Sequence, residues 1–301
     1  MFRRYLLIIL LSAACVSAYA QAAVGYSSGF EGVRRYLEEV GYSEDPDYRV
    51  SHIIDYKKDS PAVDILSGES LSVIGNVRII GGVAENMRDL GGWEADGGHI
   101  AYGKLYRGAK LERITGRGKD IFLDRLGISV DLDLRGSVPG DSRTGPVIEG
   151  VEYLRLPVDR YLGRGTGRTE ELYQLAIRCI IGWLGEGRAV YFHCSAGADR
   201  TGTLAFLIEA LLGVSESDMS KDYELTTFFG RHTRRRNTRA GLFQSCVLYE
   251  MVSYLRRYGY PQVQSINQLV LNWATTRHSD VVDPLTLEEI ALLRSYLVER
   301  D

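Results

Sequence analysis

The most constraining feature of this sequence is a short loop that links a buried strand to an apolar helix. Residues 189–193 have the sequence AVYFH, a continuous apolar run typical of a strand that is covered on both faces. Residues 202–212 are strongly apolar over a helical length. Between the two segments stand Cys194 and Arg200, with five residues between them. Together with the further strands and helices that alternate from about residue 81 onward, this order predicts an α/β domain with a central, mostly parallel sheet that is flanked by helices.

The loop has the residue types that an anion-binding cradle requires. A loop that enters a helix at its N-terminus directs several backbone N–H groups at one point, where the helix dipole also favours negative charge. Gly197 lets the chain fold closely around a phosphate, and the planar guanidinium of Arg200 can bind two phosphate oxygens. The residues expected to bind the phosphate are Ser195, Ala196, Gly197, Ala198, Asp199 and Arg200.

Cys194 precedes this cradle, so its sulfur is expected to lie in the same positive field. Such surroundings lower the pKa of a cysteine from about 8.5 to between roughly 3.5 and 7.5. Cys194 would then be an ionised nucleophile at neutral pH. Thr201 can donate its hydroxyl to the sulfur, which eases the later departure of the thiolate.

Residues 193–202 have the sequence HCSAGADRTG, which resembles the signature loop of the cysteine-dependent protein tyrosine phosphatase superfamily. The loop is most similar to a bacterial branch that carries H-C-x-x-G-x-D-R-T-G. Residues 86–92, 103–107 and 133–135 also resemble motifs of this branch, so the resemblance covers about 81–225. It implies a phosphatase fold and hydrolysis of a phosphomonoester through a phosphocysteine intermediate. It also implies that neither a metal ion nor another cofactor takes part.

Two aspartates compete for the role of general acid. Asp199 lies inside the loop and is characteristic of the bacterial branch, so the resemblance favours it. Asp159 follows the predicted strand at 151–156 and precedes a glycine-rich stretch that could close over a substrate. Its position resembles the acid loop of the wider superfamily.

The resemblance also bears on the substrate. Many members of the bacterial branch have a lysine where this chain has Ala198, and that lysine supplies an extra positive charge facing the substrate. Its absence favours phosphotyrosine, together with phosphoserine or phosphothreonine, in a protein. The alternatives are a phosphoinositide or small phosphoester substrate, and a phosphate-binding module without turnover.

Composition excludes several other classes of protein. The chain is 45% hydrophobic and 25% charged, which is ordinary for a globular protein and unlike a disordered or fibrous one. Lysine and arginine number 36 against 39 aspartates and glutamates, so no overall basic charge favours nucleic acid. Five histidines and four cysteines show neither a C-x-x-C pair nor an H-E-x-x-H motif, which argues against a zinc site.

The first 20 residues resemble a secretory signal peptide. Two arginines precede a short apolar stretch at 5–14, and residues 18–20 form an A-x-A cleavage signal before Gln21. The apolar stretch is too short for a transmembrane helix, which needs roughly 20 residues. We therefore expect an exported protein, either periplasmic or secreted. In the alternative, residues 12–15 act as a lipobox and a lipid on Cys15 anchors the chain to a membrane.

The remaining chain is predicted to form two parts. Residues 21–80 are expected to form an N-terminal extension, with a helix at 30–40 and a hairpin at 71–80 around Gly75-Asn76. Residues 81–301 are expected to form the phosphatase domain, with strands at 128–134 and 151–156 and a helix at 170–184.

A few reactive or charged residues are left outside this scheme. Cys179 and Cys246 lie on apolar helix faces and are expected to be core residues, although an oxidising compartment would permit a disulfide. Five arginines within residues 231–239 form either a solvated loop or a rim that attracts anionic substrates. Three further arginines are expected to pair structurally rather than bind substrate: Arg88, Arg107 and Arg135.

Overall fold

The computed structural model describes residues 71–74, 77–136, 141, 145–159, 161–163, 168–226, 247–263 and 265–300. Its strands are β1 (Leu71–Ile74), β2 (Val77–Ile80), β3 (Arg88–Asp89), β4 (Glu94–Ala95), β5 (Gly98–Ile100), β6 (Leu105–Gly108), β7 (Ile128–Arg135), β8 (Glu152–Val158), β9 (Ala189–His193) and β10 (Val298–Glu299). Its α-helices are α1 (Gly116–Asp120), α2 (Thr169–Gly185), α3 (Asp199–Leu212), α4 (Glu216–Leu225), α5 (Val247–Leu255), α6 (Ile266–Ala274) and α7 (Leu287–Leu297).

Within these described residues, a seven-stranded mixed sheet has the order β1-β2-β3-β6-β9-β7-β8. The strands β6, β9, β7 and β8 run parallel to one another. The short strands β1, β2 and β3 extend the sheet in antiparallel fashion beyond β6. This arrangement confirms the expected mostly parallel sheet, and it puts β9 between two parallel neighbours.

The alternating side chains of β9 are buried on both faces of the sheet. Val190 and Phe192 belong to the larger core, which α2, α3, α6 and α7 cover. Ala189 and Tyr191 belong to a smaller core on the opposite face, where Phe122 packs edge-on against Tyr191. Because both faces are covered, the strand needs an unbroken apolar sequence, and this explains the pattern AVYFH.

The predicted hairpin at 71–80 is present and belongs to the main sheet. Its strands β1 and β2 pair antiparallel, and Ile79 of β2 faces Arg88 of β3. The sheet therefore begins at Leu71, ten residues before the predicted start of the phosphatase domain. The predicted helix at 30–40 and the predicted signal peptide at 1–20 lie outside the described residues.

The other predicted elements lie close to their expected bounds. The helix predicted at 170–184 is α2, and the strands predicted at 128–134 and 151–156 are β7 and β8. The helix predicted to start at residue 202 starts earlier, at Asp199, so α3 includes the end of the loop. Across the part of the chain that the structure describes, no helix combines the length and apolar character needed to cross a membrane.

Candidate active site

The loop between β9 and α3 lies at the carboxyl end of the parallel strands. Ala198 occupies the N-cap of α3, and its methyl group cannot accept a hydrogen bond, so the cap side chain does not compete with a ligand for the first amides of the helix. Gly197 has a φ of +67°, and a Cβ there would lie 2.4 Å from the carbonyl carbon of Gly108. Only glycine therefore fits at this position, because both the backbone conformation and the neighbouring strand exclude a side chain.

Cys194 is buried at the start of this loop, with 3% of its surface exposed. Burial raises the pKa of its thiol, but the charge of Arg200, the hydroxyl of Thr201 and backbone N–H groups outweigh this and lower the pKa below its ordinary value. The Thr201 hydroxyl is itself fully buried and makes no hydrogen bond to oxygen or nitrogen within the described residues. The structure thus brings the predicted nucleophile, the predicted phosphate clamp and Thr201 together.

Arg200 already holds an anionic group. Its Nη1 and Nη2 donate to the two carboxylate oxygens of Asp141 at 2.8 and 3.0 Å. The Ser195 hydroxyl donates to the same carboxylate at 2.6 Å, as does the Gly136 amide at 3.0 Å. Burial raises the pKa of Asp141, but its bonds to Arg200 and Ser195 lower it overall, so the carboxylate is ionised. The guanidinium therefore has the orientation needed to bind two oxygens of one anion.

The two candidate acids have different surroundings. Asp199 begins α3, and its carboxylate accepts a hydrogen bond of 2.9 Å from the hydroxyl of Tyr223 on α4. Asp159 follows β8, and its Oδ1 lies 3.3 Å from where a Cβ on Gly136 would stand. Gly136 also donates its amide to Asp141, so Asp159 and Asp141 both lie close to this glycine. The contact with Tyr223 connects the start of α3 to α4.

His193 supports the loop from the end of β9. Its Nε2 forms an ion pair of 3.0 Å with Asp131, and its Nδ1 lies 3.0 Å from the carbonyl oxygen of Cys194. Burial lowers the pKa of His193, but Asp131, Asp133 and the Cys194 carbonyl raise it to about 9. The ring is therefore protonated at neutral pH, and both of its nitrogens can donate.

Sequence reasoning missed Asp141 as part of the site. The residue stands six positions after Arg135, the last residue of β7, whose neighbour in the sheet is β9. The carboxyl ends of adjacent parallel strands meet at one edge of a sheet, and this placement was the available signal. The three predicted structural arginines are indeed buried in ion pairs with Asp222, Glu112 or Asp133.

Other predicted features lie away from the site or outside the described residues. Cys179 is a free, half-buried thiol of α2, and burial raises its pKa to about 11. Cys246 and the arginine-rich residues 231–239 lie outside the described residues. Among the residues that the structure describes, no group of three or more His, Cys, Asp or Glu side chains could hold a metal ion.

Comparison with known proteins gives a family match and several weaker similarities. The tyrosine phosphatase family model matches residues 82–270. A protein of Cupriavidus necator, assigned by inference as a tyrosine-protein phosphatase, is 30% identical over 171 residues. The match covers 46% of this chain and 59% of that protein, so the chain spans less than two thirds of the relative's length.

The chain is also similar to solved phosphatase structures at low identity. The core catalytic domain of the PP-IP phosphatase Siw14 from S. cerevisiae has a TM-score of 0.36 and 17% identity, covering 50% of this chain and 80% of that domain. DUSP15 has a TM-score of 0.35 and 18% identity, covering 58% of this chain and 94% of the DUSP15 chain.

Proposed function

Because this chain belongs to the tyrosine phosphatase family, we propose that it hydrolyses phosphomonoesters with Cys194 as the nucleophile. The observation that carries the proposal is the pairing of a thiol of lowered pKa with an arginine whose two nitrogens already hold one carboxylate. A phosphate dianion has the charge and the oxygen spacing to take the place of that carboxylate.

The reaction proceeds in two displacements. In the first, the Cys194 thiolate attacks phosphorus, an S–P bond forms, and the bond from phosphorus to the leaving oxygen breaks. The leaving oxygen takes a proton from the general acid, for which Asp199 and Asp159 are the candidates. In the second, the resulting carboxylate accepts a proton from water, whose oxygen attacks phosphorus. The S–P bond then breaks, inorganic phosphate leaves, and the thiolate is restored.

The surroundings of Cys194 suit both displacements. Arg200 and the loop amides bind the non-bridging oxygens, where negative charge is concentrated in the transition state. The Thr201 hydroxyl, which has no oxygen or nitrogen partner among the described residues, can donate to the sulfur as it leaves in the second step. No step requires a metal ion.

The proposed substrate is a phosphotyrosine side chain, with phosphoserine or phosphothreonine as further substrates. Ala198 carries no charge, so one arginine and backbone amides bind a single phosphate group. That arrangement suits a monoester better than a substrate with several phosphates. The loop sequence also supports membership of the bacterial H-C-x-x-G-x-D-R-T-G branch.

We also propose that the protein is exported and cleaved before Gln21, a proposal that rests on the leader sequence alone. Mass spectrometry of protein from the native host tests this directly. A mature N-terminus at Gln21 supports the proposal, and a lipidated Cys15 contradicts it in favour of a membrane-anchored lipoprotein.

The activity is tested with purified protein, a phosphotyrosine peptide and excess chelator. Cys194→Ser should abolish turnover, because a hydroxyl there stays protonated near pH 7 and is a poor nucleophile. The matched control is Cys179→Ser, which removes the free thiol of α2 and should keep normal turnover. Phosphate bound to Cys194 after acid quenching would identify the intermediate. Appreciable hydrolysis by Cys194→Ser would contradict the mechanism.

A further inference from the structure

Two side chains from a different part of the sequence bind the back of the phosphate loop. The Nδ2 of Asn86 lies 3.2 Å from the carbonyl oxygen of Ala196 and 3.0 Å from that of Gly197. The Nη2 of Arg107 donates to the same Gly197 carbonyl at 3.1 Å. More than 85 residues separate these partners along the chain, so only the folded sheet brings them together.

The direction of these bonds fixes the direction of the loop amides. In a trans peptide unit, the C=O of one residue and the N–H of the next point in opposite directions. Holding the Ala196 carbonyl at the back of the loop therefore turns the N–H of Gly197 towards the front. In the same way, holding the Gly197 carbonyl turns the N–H of Ala198 towards the front, where the phosphate would bind.

Asn86 is itself held in a defined orientation. Its backbone has a φ of +57°, a conformation that asparagine adopts more readily than most residues. Its Oδ1 accepts a 2.6 Å bond from Nη1 of Arg88, which directs the Nδ2 to the loop. Nδ2 also lies 3.2 Å from the hydroxyl of Thr226. The amide group thus has a partner on each side and has little freedom to rotate.

Asp222 holds both arginines beneath the loop. Its carboxylate accepts from Nε of Arg88 at 2.7 Å and forms a short bond with Nη1 of Arg107. All three side chains are at most 1% exposed. Burial and the charge of Asp222 raise the pKa of the neighbouring Glu209 carboxyl well above its ordinary value. The Asp222 carboxylate thus ties the guanidinium groups of Arg88 and Arg107 to one another beneath the loop.

We propose that Asn86 and Arg107 are positioning residues that aim the Gly197 and Ala198 amides at the substrate phosphate. The inference rests on the proposed phosphate-binding role of the loop. The two side chains touch the loop carbonyls rather than the substrate, so they act through the backbone. A purely structural role would instead stabilise the fold without affecting how tightly the loop binds an anion.

The first test measures anion binding without turnover. Inorganic phosphate should protect Cys194 from alkylation by iodoacetamide, as followed by mass spectrometry of its peptide. Asn86→Asp keeps the side-chain shape and tolerates the positive φ, but its carboxylate cannot donate to the loop carbonyls. We expect phosphate to bind this variant about tenfold more weakly or worse. Asn86→Gly, which removes the donors without adding charge, should show the same direction of change.

The matched control separates this effect from a loss of stability. Leu293→Ala removes a fully buried side chain of α7, and it should lower the Tm while leaving phosphate protection unchanged. If both Asn86 variants lower the Tm but bind phosphate as tightly as the natural protein, the proposal is wrong.

Arg107 gives a second, graded comparison. Arg107→Lys keeps the charge but loses the fork that reaches both Asp222 and Gly197, whereas Arg107→Met loses the charge as well. Phosphate affinity should fall in the order natural protein, Lys variant, Met variant. Equal affinity in all three proteins would overturn the role of Arg107.

Two further measurements make the outcome decisive. If none of the variants folds, the unchanged protein is measured by nuclear magnetic resonance. The signal of the Asn86 side-chain amide should shift when inorganic phosphate binds to the loop. An unmoved signal rejects the proposal. Failure of the proposed function is seen separately, as absent turnover in the natural protein although phosphate still protects Cys194. Normal kcat and KM in the Asn86 variants reject the positioning role and leave the function intact.

Discussion

The carboxylate of Asp141 accepts hydrogen bonds from both terminal nitrogens of the Arg200 guanidinium, at 2.8 and 3.0 Å. The Ser195 hydroxyl completes the contact at 2.6 Å. A substrate phosphate that binds Arg200 with two oxygens needs the same nitrogens, so the carboxylate and the phosphate compete for one group.

Asp141→Asn should therefore strengthen phosphate binding. The amide keeps the size of the side chain but loses the charge that the guanidinium attracts, so the KM and the inhibition constant of inorganic phosphate should fall by up to about tenfold. Steady-state kinetics with a phosphotyrosine peptide measures both. Asp280→Asn, an exposed site, is the control and should change neither value. Weaker phosphate binding in the Asp141 variant would instead show that this carboxylate orients Arg200 for substrate.

The pH dependence of the hydrolysis rate in two matched variants identifies the general acid. Asp199→Asn and Asp159→Asn each remove one carboxyl group without changing its size. Loss of the acid should lower kcat by a factor of about 10² to 10⁴ and remove the basic limb of the pH–rate profile. We expect this for Asp199, and the effect should shrink with p-nitrophenyl phosphate, whose leaving group hardly needs a proton. If only Asp159→Asn loses the basic limb, Asp199 serves to brace Tyr223.

Charge at position 198 should control the choice between substrates. Ala198→Lys places an ammonium group beside the first amides of α3, where a second phosphate of a phosphoinositide could bind it. The kcat/KM for phosphoinositides should rise relative to that for phosphotyrosine peptides. Ala198→Met, of similar length but without charge, is the control. A natural protein that already prefers phosphoinositides would reverse the proposed order of substrates.

His193 should make the stability of the fold depend on pH. Its pKa is raised to about 9 in the folded protein, from an ordinary value near 6.5, because the charges of Asp131 and Asp133 outweigh burial. Because the folded-state pKa is raised, the contribution of His193 to the free energy of unfolding is complete below pH 6.5. This contribution is lost as the pH rises through about 9. The loss is of the order of 3 kcal/mol.

The measurement is urea unfolding between pH 6 and 9 in the Cys194→Ser background. That background is needed because the lowered pKa of Cys194 makes its own contribution to stability grow as the pH rises over part of this range, whereas the contribution of His193 falls. Introducing His193→Gln should flatten the pH dependence. An unchanged slope in the double variant would show that His193 is not the titrating group.

Local sequence patterns predicted the elements that build the centre of the site. The apolar run of β9 has no polar residue before His193, and this requires a strand buried on both faces. The turn residues Gly75-Asn76 between alternating segments predicted the hairpin, although not that it would extend the main sheet. Hairpin formation is local, whereas joining the sheet depends on β3, which is only two residues long and gives almost no sequence signal.

The loop could be recognised from local sequence, because Cys194, Gly197 and Arg200 stand within seven residues whose spacing already defines an anion cradle. The residues that surround the cradle come from distant parts of the chain and depend on the folded sheet. Asp141 approaches from the end of β7, and Asn86 binds carbonyl groups more than 100 residues away. Such contacts depend on strand order and on the direction of single peptide units. Neither property produces a periodic pattern in the sequence. The contact of Asp141 with Arg200 and the contact of Asn86 with the loop can therefore be recognised only in the folded sheet.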